Sequence, residues 1–167
     1  MPASSAYTFG VLTLSDKGAQ GLREDTSGPK LIGILEKAGF IKTAYTILAD
    51  DFTSIQQTLI DWSDTQKIDL IVTTGGTGVS PTDVTPEATA EVLDREIPGM
   101  SEAMRLESLK VTARAMLSRG KCGIRGKSLI INLPGSRKAA EENIEAVLNT
   151  LPHAIEKIKG MTGDCGG

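Results

Sequence analysis

A chain of 167 residues with 40% hydrophobic content and a formal net charge of −3 can bury a sizeable core in one domain, and its mild acidity speaks against nucleic acid as the main partner. No apolar run reaches the roughly 20 residues that cross a bilayer, and the opening Met-Pro-Ala-Ser-Ser-Ala lacks the basic patch and apolar block of a secretory leader. Cys122 and Cys165 show neither metal-ligand spacing nor a disulfide framework, so a reduced, cytoplasmic setting is expected.

Tyr7 to Leu14 reads as a first strand, apolar on both faces as in the middle of a covered parallel sheet. Ser15-Asp16-Lys17 ends it, and a polar, glycine-containing loop leads to Gly28. Pro29 then opens a helix with Leu31, Ile32, Ile34 and Leu35 at helical spacing and Gly39 as its stop. Ile41 to Leu48 is the second strand. Thr53 with Gln56 forms a capping-box pattern for a helix carrying Ile55, Leu59, Ile60 and Trp62. Ile68 to Thr74 is the third strand.

Thr74-Gly-Gly-Thr-Gly78 follows that strand directly. Its glycines let backbone turn at positive φ and approach a ligand closely, Asp83 adds a carboxylate, and Thr85 with Pro86 and Glu87 reads as a capped helix start. Clustered N–H groups beside a carboxylate able to hold Mg²⁺ suit a polyphosphate, although such a turn can also be a plain connection. It is no P-loop, because no lysine follows Gly78 before the helix. It is no dinucleotide fingerprint either, because Pro81 stands where a third glycine belongs.

A helix is expected over Ser101 to Leu109. Lys121–Arg125 and Lys127–Leu133 then read as two strands around Gly126, a hairpin adding an antiparallel edge. Ser136 caps a helix towards Leu148, Pro152 starts or kinks the last one, and residues 1–6 and 161–167 are expected to be flexible. The whole predicts a single α/β domain, a three-layer open, mostly parallel sheet with helices on both faces.

Ligands of such sheets bind outside the carboxyl ends of the strands. Those ends carry Ser15 and Asp16, then Asp50 and Asp51, then Gly75 to Gly78 with Asp83, and finally Pro134, Gly135 and Ser136. From Lys110 to Lys138 every charged residue is basic, a segment that could draw in anions. The only histidine, His153, stands in the last helix with no cysteine near it, so triad and histidine chemistry lack support. A reaction whose nucleophile is already an anion, such as phosphate attacking phosphorus, fits better.

Thr74 to Gly78 with Asp83-Val-Thr-Pro-Glu-Ala88 closely resembles the signature of the MogA/MoaB family of molybdenum-cofactor biosynthesis. The resemblance continues through Pro98-Gly99, Glu107-Ser-Leu109, Ala115-Met-Leu-Ser-Arg119, Gly123-Ile-Arg-Gly126 and Leu129 to Gly135. It implies a molybdopterin adenylyltransferase that uses Mg²⁺, ATP and molybdopterin, assembles as a homotrimer and serves a downstream molybdenum-inserting enzyme. A non-catalytic pterin carrier of the same family is the alternative. Carried over, the acidic catalytic and metal positions are Asp50 and Asp83, with Asp51 the alternative to the first because Ala49 replaces a frequent proline. Gly75, Gly76, Thr77, Gly78, Pro134, Gly135 and Ser136 would hold the nucleotide. Ser15, Asp16, Ser108, Ser118 and Arg119 would face the pterin.

Overall fold

A computed structural model describes residues 6–162. Most of the two terminal stretches expected to be flexible lie outside them. Strands β1 (Thr8–Leu14), β2 (Ile41–Leu48), β3 (Leu70–Thr74), β4 (Arg95–Glu96), β5 (Cys122–Arg125) and β6 (Ser128–Leu133) form one sheet in the order β2-β1-β3-β6-β5-β4. The first four of that order run parallel, and β5 and β4 add the antiparallel edge. The two-residue β4 is too short to leave a periodic signal and was not foreseen.

Alternating side chains send Phe9, Val11, Leu70, Val72, Leu129 and Ile131 to one face of the sheet. There they meet α2 (Ser27–Lys37), α5 (Pro98–Leu109), α6 (Arg137–Val147) and α7 (Leu151–Ile158). Leu12, Leu14, Ile71 and Ile130 point the other way, onto α3 (Phe52–Ile60) and α4 (Thr85–Val92). Two apolar layers flank the sheet, and strands β3 and β6 are buried along their whole length between them. No helix among the described residues is long and apolar enough to cross a membrane.

Several element ends differ from the sequence reading. Helix α2 starts at Ser27, placing Pro29 within its first turn, where a missing N–H costs nothing. Thr53 does not cap α3. Asp51 does, accepting from the Ser54 N–H at 2.8 Å and the Ser54 hydroxyl at 2.7 Å. Trp62 lies beyond α3 in a π-helical turn, Asp61–Thr65. Helix α5 begins at Pro98, and Ser136 caps α6 through the Ala139 N–H at 3.2 Å. A short α1 (Asp16–Ala19) follows β1, capped by the Ser15 hydroxyl.

Strand β1 has β2 on one side and β3 on the other. The connections leaving β1 and β3 therefore diverge, opening the crevice where doubly wound sheets take ligands.

Candidate functional site

Two touching turns form the floor of that crevice. The Gly75 N–H donates to the Leu133 carbonyl at 3.1 Å, and the Thr74 hydroxyl donates to the Pro134 carbonyl at 2.7 Å. The turn after β3 is thereby sewn to the turn after β6. Gly75 and Gly76 have φ of 105° and 67°, a region that side-chain-bearing residues adopt at a cost. Thr85 is the first helical residue of α4, not its cap. Its hydroxyl donates to the Gly75 carbonyl at 3.0 Å and its N–H to the Gly76 carbonyl at 3.2 Å.

Arg119 completes the frame. Its guanidinium donates to the carbonyls of Gly78 at 2.7 Å and Asp83 at 2.8 Å and pairs with Glu87. The side chain therefore braces the turn from behind. Other cations of the basic segment also meet scaffold acids, Lys121 with Glu96 and Arg125 with Asp64. Of the basic residues that the segment contributes, only Arg114 lines the larger of the two cavities described next. At these two cavities the anion-focusing role expected of the segment thus falls to Arg114, while Lys110, Arg119, Lys121, Arg125 and Lys138 are ion-paired within the fold.

Two cavities adjoin over the floor. The larger, about 440 Å³ and lined mainly by apolar surface, includes Ser108, Thr112, Arg114, Ser118 and Asn143. The smaller, about 280 Å³ and mainly polar, includes Thr13, Ser15, Arg23, Asp25, Ser27 and Asp50. Gly76, Asp83 and Gly135 line both. Anything spanning the two must cross that line.

Asp50 and Asp51 are told apart by their partners. The Ser54 hydroxyl, followed by its N–H, holds the Asp51 carboxyl below the usual range, and that side chain is engaged as a cap. Asp50 is half-buried, and its buried Oδ1 has no hydrogen-bond partner. A Cβ on Gly76 would come within 2.9 Å of that oxygen, so it faces the glycine turn. Burial foremost, then the charges of Asp16 and Asp83, raise the Asp50 carboxyl above its ordinary value. A raised carboxyl with an orphaned oxygen is a group suited to a cation.

The structure brings Asp50, Asp83, Gly75, Gly76 and Gly135 together at the smaller cavity, and Thr77, Gly78, Pro134 and Ser136 line the larger. The residues expected to face a pterin are divided. Ser108 and Ser118 line the larger cavity and Ser15 the smaller. Asp16 accepts from the Asp50 N–H at 2.9 Å, and Arg119 braces the turn as described. His153 is exposed on α7 and lines neither cavity.

Sequence reasoning missed Asp25. Its carboxylate accepts from the Thr13 hydroxyl at 2.7 Å, the Gly28 N–H at 3.0 Å and the Tyr45 phenol. The signal was present as Asp-Thr-Ser-Gly across the start of a helix, where an aspartate can accept from the N–H three residues on. Asn143, which donates to the Ser108 hydroxyl at 2.6 Å, left no such trace in the helical pattern of α6.

Gly78 offers a local test. Its φ is ordinary, but a Cβ there would sit 2.9 Å from Asp83 Oδ2. Gly78→Ala should displace that carboxylate and lower turnover about tenfold or more, while urea unfolding shifts by no more than about 0.5 kcal/mol.

Over residues 10–153 the chain matches the family model described as a probable molybdopterin binding domain. The chain belongs to this family. It is 44% identical over 154 residues to the molybdopterin adenylyltransferase of Helicobacter pylori, covering 91% of this chain and 88% of that protein. It is 48% identical over 156 residues to the molybdenum cofactor synthesis protein cinnamon of Drosophila melanogaster, covering 92% of this chain and 26% of that longer protein. The crystal structure of the molybdopterin biosynthesis enzyme MoaB from Thermus thermophilus superimposes with a TM-score of 0.88 at 49% identity, over 92% of this chain and 97% of that one. The three-layer fold is thus that of the family.

Proposed function

We propose that the chain transfers AMP from ATP to the terminal phosphate of molybdopterin, releasing pyrophosphate, as a step in molybdenum-cofactor biosynthesis. The observation that carries this reading is the junction of two cavities at Gly76, Asp83 and Gly135 beside the unpartnered Asp50 oxygen. The Helicobacter pylori relative of nearly equal length supports it by name.

The larger, less polar cavity suits the flat pterin, with Ser108, Ser118 and Asn143 offering polar edges. The smaller, polar cavity suits the triphosphate. The acceptor phosphate is ionised at neutral pH, so no general base is required, in keeping with the position of His153. The turn backbone and the capped start of α6 offer N–H groups to the transferring phosphoryl group.

Among the described residues no group of three or more His, Cys, Asp and Glu side chains could hold a metal. Mg²⁺ commonly takes one or two carboxylates plus substrate phosphates, and the orphaned Oδ1 of Asp50 with the nearby Asp83 fits that pattern. Bound there, it would supply charge neutralisation at the phosphates. Exposed Leu106, Leu109, Val111, Met116 and Leu117 at and after the end of α5 support self-association, as in the homotrimer the resemblance implies.

Incubation with molybdopterin, ATP and Mg²⁺ should yield adenylylated pterin and pyrophosphate in equal amounts. Bound pterin without pyrophosphate would replace the enzyme with a carrier.

A further inference from the structure

The smaller cavity is lined by Glu24, Asp25, Asp50 and Asp83 and by one cationic side chain, Arg23. A leaving pyrophosphate would enter an acidic surrounding there. Asp25 is already satisfied by its hydrogen-bond donors, and Asp50 and Asp83 are assigned to the metal. Arg119 and Arg125 are engaged by Glu87 and Asp64. Arg23 has no ion pair among the described residues.

The loop bearing Arg23 is pinned at both ends. On the α1 side the Leu22 N–H donates to the Lys17 carbonyl at 2.8 Å, and Gly21, at φ 73°, turns the chain. On the α2 side Asp25 binds β1, β2 and the start of α2 together, and the Ser27 hydroxyl donates to the Gly135 carbonyl at 2.7 Å. Arg23 thus stands between two anchors, on a loop tied to the very turn that separates the cavities.

We propose that Arg23 binds the β- and γ-phosphates of ATP and neutralises the pyrophosphate as it leaves, with Asp25 the positioning residue that holds its loop over the cavity. The inference rests on the adenylyl-transfer reading. In that step an oxygen of the acceptor phosphate forms a bond to the α-phosphorus. The bond from that phosphorus to the bridging oxygen breaks, and the electron pair leaves with pyrophosphate. No proton has to move, so the demand on the protein is positive charge at the departing group. The forked guanidinium meets two phosphate oxygens at once, which an ammonium does not.

The test compares the parent with R23Q, R23K and D25A, and with D25A in the R23Q background. Calorimetry with Mg²⁺-pyrophosphate and with Mg²⁺-ATP is read beside steady-state kinetics. R23Q, altered on an exposed side chain, should melt as the parent does. It should bind pyrophosphate at least tenfold more weakly and raise the KM for ATP, leaving the KM for molybdopterin unchanged, and R23K should restore part of the loss. D25A should weaken pyrophosphate binding alone but add nothing in the R23Q background, which a merely structural role would not produce. R23Q binding pyrophosphate as tightly as the parent overturns the proposal, and additive losses remove Asp25 from it. A parent that binds ATP yet makes no adenylylated pterin refutes the reaction, while the R23Q comparison still decides Arg23. A parent that binds neither ATP nor pyrophosphate removes both.

Discussion

Asp50→Asn should lower turnover by about 10²–10³-fold, the usual loss for one essential charge-stabilising group, and at the same time raise the melting temperature at neutral pH. The second effect follows from the environment of the carboxyl. Burial and the neighbouring Asp16 and Asp83 raise its pKa in the folded state, and its Oδ1 has no donor. The folded protein therefore holds that proton more tightly than the unfolded chain. The stability gained from the proton is fully present below the unfolded pKa and is lost as pH rises through the folded one. Asparagine has no such charge to keep out of water. The variant's advantage should be visible near pH 7.5 and disappear on acidification, each kcal/mol appearing as about 2–4 °C in a chain of this size. Added Mg²⁺ should raise the melting temperature of the parent and leave that of the variant unchanged. A variant that melts lower than the parent, or turns over normally, would remove Asp50 from the proposed cation site.

Gly75→Ala should have the largest effect on folding. At φ 105° an alanine is strained by about 1–3 kcal/mol before any contact is considered. Its Cβ would also collide with the Leu14 carbonyl oxygen, a backbone atom at the end of β1 that no rotamer change can move. A total loss above about 2 kcal/mol is expected in urea unfolding. Gly135→Ala is the control, because its Cβ would meet the Gly75 backbone less closely, the Cα at 3.3 Å and the N at 3.9 Å, and its φ is not in the restricted region. Equal losses for the two would mean that crowding between the turns, not the backbone angle of Gly75, governs this part of the fold.

Legibility in the sequence tracked how locally each feature is encoded. Strands β1, β3 and β6 announced themselves as apolar runs because both their faces are covered, and the glycine turn stood out through composition. The Ser136 cap lay next to the helix it serves. Asp51 and Thr53 compete as caps within a few residues of each other, and only the backbone angles decided for Asp51. The Asp25 network joins residues 12 and 20 positions away, each ordinary in its own neighbourhood. Within the basic segment, charge order along the chain does not record which carboxylates lie opposite Arg119, Lys121 and Arg125.

Thr85 anchors the first turn of α4 to the glycine turn through both its N–H and its hydroxyl. The floor beneath the two cavities consequently exists before any ligand arrives. With no segment there to bring to order, the freedom surrendered on recognition is that of the incoming molecules, and a stiff receptor of this kind favours discrimination by shape over accommodation.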